Sequence, residues 1–85
     1  MAVVSRNEVA IYCKLDDGAL LDHACDLADT MEKRLIRKGV RDTPDTHADF
    51  CLAVKAMTLY ELDNPGQKIP QGIQDMINEL KPKKF

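Results

Sequence analysis

The chain has 85 residues, enough for one domain and too few to bury more than a modest core, so assembly or some other staple is expected to support it. Twelve Lys and Arg against fourteen Asp and Glu give a net charge of -2, which excludes a strong general grip on nucleic acid. Three cysteines without a CxxC pair speak for a reducing compartment, and neither a leader-like pattern nor a run near the roughly 20 apolar residues needed to cross a bilayer is visible, so a soluble intracellular chain is expected.

Ser5-Arg6-Asn7-Glu8 fits a capping box and predicts a short first helix over about Arg6 to Lys14, with Val9, Ile11, Tyr12 and Cys13 on it. Asp16 and Asp17 offer N-cap acceptors for a second helix over Gly18 to Lys38. Its Leu20, Leu21, Ala24, Cys25, Leu27, Ala28, Met31 and Leu35 recur at amphipathic spacing. Acidic residues open that helix (Asp17, Asp22, Asp26) and basic ones close it (Arg34, Arg37, Lys38), in the sense that favours the macrodipole, and Gly39 supplies the stop.

Asp42, Thr43 and Pro44 mark a turn over Val40 to Asp45, with Pro44 at a helix-opening position, and it hands over to a third helix from Thr46 to Leu62. Phe50, Cys51, Leu52, Ala53, Val54, Ala56, Met57, Leu59, Tyr60 and Leu62 make it apolar on nearly every side, so it must be covered on more than one face. Asp63-Asn64-Pro65-Gly66 stops it. Pro70 opens a last helix with Ile73, Met76, Ile77 and Leu80 on one face, and Pro82 ends it. The fold class read from these elements is all-α, a small bundle of about four helices with two long central ones. It forms a single domain over 1–85, with 81–85 as a basic tail.

Chemistry is sparse. His23, Cys25, His47 and Cys51 match the count of a two-cysteine, two-histidine zinc site. Residues 23 and 25, however, point about 200° apart around a helix, and only His47 and Cys51 share a face. The same pair is the one local candidate for a thiol beside a base, and core cysteine with surface histidine is the preferred reading. No phosphate-cradling glycine loop is present, so neither an enzyme nor a cofactor is expected. A helix-turn-helix fits neither junction, since the third helix is apolar and the last carries Asp75 and Glu79.

The order of features resembles the small head-tail connector, or head-completion adaptor, proteins of long-tailed bacteriophages and prophages. The carriers are Leu15-Asp16-Asp17-Gly18-Ala19-Leu20-Leu21 opening a helix with Ala24 and Ala28, then Ala53 to Glu61 with its Tyr60-Glu61 pair, and Ile69-Pro70-Gln71-Gly72-Ile73 before the terminal helix. The chain departs from that pattern in its brief loop between the long helices and its short tail. The resemblance implies a structural virion protein, a ring commonly of twelve subunits beneath the portal that joins the DNA-filled head to the next connector or tail component. DNA would pass through without sequence-specific binding, and no membrane is involved. The protein would be found in the host cytoplasm during assembly and then in the virion.

Within that frame Asp17, Leu20, Leu21, Ala24, Tyr60, Pro70 and Ile73 are the motif positions that shape the fold. Arg34, Arg37, Lys38, Lys81, Lys83, Lys84 and Phe85 are the candidates for partner contact, the tail toward the portal. The exposed flanks of the two long helices are the candidate subunit surfaces. The alternative from a different class is a small helical regulatory or adaptor protein that binds another protein through a helix groove.

Overall fold

The computed structural model describes residues 4–81, which form four helices and, among those residues, no strand: α1 (Arg6–Cys13), α2 (Ala19–Arg37), α3 (His47–Asp63) and α4 (Gln71–Leu80). α3 is the hub and touches each of the other three helices. One apolar cluster runs through the molecule, built on Val9 of α1, Leu21, Ala24, Ala28, Met31 and Leu35 of α2, Phe50, Ala53, Val54 and Met57 of α3, and Ile77 of α4. The all-α bundle with two long central helices is therefore the fold, and the all-round apolarity of α3 is explained by cover from three directions.

The helix ends follow from local chemistry. At α1 the Glu8 N–H donates to Ser5 Oγ at 3.2 Å, the first half of the expected capping box. α2 ends in a Schellman motif: Gly39 takes φ +90°, its N–H donates to the Ile36 carbonyl at 3.0 Å, and the Val40 N–H reaches back to the Leu35 carbonyl at 3.1 Å. Val40 and Leu35 are both buried, so the motif closes over its own apolar contact. α1 ends in the same way but with Lys14 at the left-handed position, φ +56°, where a side chain is strained.

Several expectations are corrected. Neither Asp16 nor Asp17 caps α2. The N-cap is Gly18, at φ +154° and ψ -167°, a region open to glycine alone, and no side chain bonds the first turn. Asp17 instead accepts from Arg6, which also holds Asp22, so one guanidinium ties α1 to the start of α2 and keeps the Asp17 carboxyl below the usual carboxylate range. Leu20 is 57% exposed, because the buried stripe is Leu21, Ala24, Ala28, Met31 and Leu35 and residue 20 lies a 100° step away from it. Pro44 sits in the expected turn, two residues before the Thr46 N-cap and outside α3, where Thr43 and Thr46 hydroxyls meet at 2.7 Å. Leu21, Ala24 and Ile73 are placed as expected, the first two buried and the third packed at the core edge. Pro70 is the N-cap of α4, with the Gln74 side chain donating to the Ile69 carbonyl at 2.7 Å beneath it.

One polar group lies wholly inside. Thr58 is fully buried in α3, and its hydroxyl donates to the Val54 carbonyl at 2.8 Å, which satisfies it within its own helix.

Two stability experiments follow from these positions. Leu21→Asp or Val54→Asp should abolish the cooperative thermal transition seen by circular dichroism, since each strands a carboxylate in the core, whereas Leu52→Asp on the open side of α3 should keep it. Folded Leu21→Asp or Val54→Asp protein would show the core to be wrongly assigned. Lys14→Gly should raise stability by about 0.5–1 kcal/mol in urea titration by relieving the left-handed position, and no gain would mean that the Lys14 side chain offsets its strain.

Candidate functional site

Three features carry side chains outside the core arrangement. At the start of α3, His47 Nδ1 lies 2.8 Å from Asp42 Oδ1, and its Nε2 lies 3.5 Å from Cys51 Sγ. His47 and Cys51 meet because they are four residues apart on one helix, and the connector before α3 brings Asp42 to the ring's other nitrogen. The order acid, imidazole, thiol is that of a nucleophilic triad. Its electrostatics run the other way. Cys51 is only 8% exposed, and burial pushes its thiol up, as do Glu8, Asp42 and Glu32 against a partial offset from Lys55. A nucleophile needs the thiolate, and these surroundings favour the thiol. Among the described residues no group of three His, Cys, Asp or Glu is arranged to hold a metal ion.

The second feature is the basic end. Arg34, Arg37 and Lys38 are exposed on the last turn of α2 and its cap, with Ile36 among them at 56% exposure. Lys81, the C-cap of α4, comes to the same end of the molecule and lines a notch of about 190 Å³ together with Lys38, Gln74, Ile77 and Asn78. The two basic clusters of the sequence thus converge at Lys38 and Lys81. Lys83, Lys84 and Phe85 lie outside the described residues.

The third feature is the side of α3 turned away from its core-facing residues. Leu52, Ala56 and Leu59 lie along it, and α4 supplies Ile73, Met76 and Leu80 on one flank. Two hollows of about 370 and 400 Å³ adjoin at Met76 and make a two-part groove; α1 walls the second with Tyr12, whose ring carries Lys55 Nζ at 5.6 Å from its centroid. Tyr60 is half-buried along this groove rather than sealed in the core. Carboxylates mark the groove: Asp49 and Glu79 at one end and Asp63 at the other.

No family model, curated protein or solved structure matches the chain. Function must therefore be argued from these three features. Among the described residues no helix is long and apolar enough to cross a membrane.

Sequence reasoning found the basic residues and the His47–Cys51 pair but missed Asp42 and the groove. Asp42 was legible as a turn residue only, since no spacing rule links a loop carboxylate to a ring five residues on. The groove needs the positions of α1 and α4, which the apolar wheel of α3 does not contain.

Alkylation tests the thiol. In native protein near neutral pH, iodoacetamide should modify Cys51 at least about tenfold more slowly than in the urea-unfolded chain. Equal rates would show the thiol to be neither shielded nor raised.

Proposed function

We propose that the chain is a structural virion protein, a head-tail connector subunit that forms a ring beneath a phage portal and joins the DNA-filled head to the tail. The observation that carries this reading is the groove on α3. A helix already covered by three others still leaves Leu52 exposed and Ala56 and Leu59 half-buried along the groove, and such a surface is finished by assembly. The sequence resemblance supplies the class of assembly. A near-neutral chain suits a channel wall along which DNA must slide rather than stick.

In this reading Arg34, Lys38 and Lys81, together with the tail residues Lys83, Lys84 and Phe85, meet the portal or the next connector, and Arg37 is left to a neighbouring subunit. The motif positions Asp17, Leu21, Ala24 and Pro70 hold the helices in place. The protein works in the host cytoplasm during assembly and in the virion afterwards, without cofactor or catalysis.

The groove also favours a second reading, a small adaptor that captures one helix of another protein, because its length along α3 from Asp49 to Asp63 is about 21 Å, close to four helical turns. Stoichiometry separates the two. Light scattering across a concentration series, with and without a candidate portal, should show growth toward ring-sized species or recruitment in cyclic stoichiometry. A fixed monomer or dimer indifferent to the portal would shift the reading to the adaptor.

A further inference from the structure

The groove on α3 asks for an occupant that is helical, apolar at its centre and basic at its edges, and the chain carries such a segment. We propose that the groove of one copy receives the C-terminal end of α2 from the next copy, with Ile36 as the apolar knob and Lys33 and Arg37 set against Asp49 and Glu79. The inference rests on the assembly reading above and supplies its subunit contact.

Three observations carry it. Lys33, Ile36 and Arg37 stand at i, i+3 and i+4, so they share one face of α2, and all three are exposed, Lys33 in an ion pair with Asp29 at 3.3 Å that a partner carboxylate would have to share. Ile36 is one of the few large apolar side chains left in solvent, at 56% exposure, and cations flank it in the sequence on both sides. The groove is apolar along its floor through Leu52, Ala56, Leu59 and Met76, and its marginal charges are acidic at both ends, with Lys55 the one cation nearby, engaged over Tyr12. The exposed basic end of α2 and the Asp49 and Glu79 end of the groove are thus opposite in charge.

The placement of the two patches makes this a contact between copies. α2 packs on the core-facing side of α3, through Leu21, Ala24, Ala28, Met31 and Leu35, while the groove opens on the other side. The end of α2 cannot fold back into its own groove. It can enter a second copy's groove reciprocally, in a closed dimer, or head to tail, in a ring, and the assembly reading above selects the ring.

Charge reversal tests it on the full chain. Sedimentation velocity over a concentration series would compare wild type with a rim variant, Asp49→Lys with Glu79→Lys, and a helix-end variant, Lys33→Glu with Arg37→Glu. Each variant alone should associate at least about tenfold more weakly than wild type, with unchanged helicity. An equimolar mixture of the two should recover wild-type association, because reversed ends then meet reversed rims and native ends meet native rims. If a double variant loses helicity, Ile36→Ser and Leu52→Ser remove the knob and its floor at exposed positions and should weaken association in the same way. Wild-type assembly that neither set of variants disturbs would overturn the contact and leave the ring reading standing. A wild-type chain that stays monomeric with and without a portal would overturn the ring reading and this contact with it.

Discussion

Everything in this molecule depends on covering α3. Phe50, Val54 and Met57 each lose essentially all contact with water, and side chains of that size contribute about 1.5–3 kcal/mol apiece when removed from solvent. No single helix can shield a surface that runs round the whole circumference. α2 takes the long side, α1 and α4 take flanks, and each of these three is amphipathic enough to face water on its outer side. The fold is the smallest arrangement that gives α3 most of the cover it needs, and the groove is where the supply of helices ends.

The elements were legible in the sequence because their signals are local. Gly39 stops α2 by the mechanism that its position predicts, with Val40 closing back on Leu35. The stripe from Leu21 to Leu35 becomes the buried face. Where reading failed, a rule with two solutions met a context that chose between them. Asp17 has the chemistry of a cap, but its carboxylate accepts from Arg6 of a neighbouring helix and Gly18 takes the N-cap position. Leu20 has the right composition for the core but sits one step off the stripe.

The candidate site was legible in parts and not as a whole. Basic residues at the end of α2 and near the chain's end were evident separately, and only the fold sets Lys38 beside Lys81. The hydrophobic character of α3 was evident, but the open side of a uniformly apolar helix is decided by its neighbours. The Asp42, His47 and Cys51 arrangement shows the reverse case, a constellation that looks chemical by geometry and is held in the unreactive form by its surroundings.

The described part of the molecule measures 46 × 27 × 18 Å, and its shortest dimension is less than two helix diameters. Such a slab has no deep interior. Every buried residue stands within one side chain of the outside, and α1, α2 and α4 each press a face directly on α3. A substitution that shifts α3 is therefore felt by all three outer helices at once, with no intervening layer to absorb it.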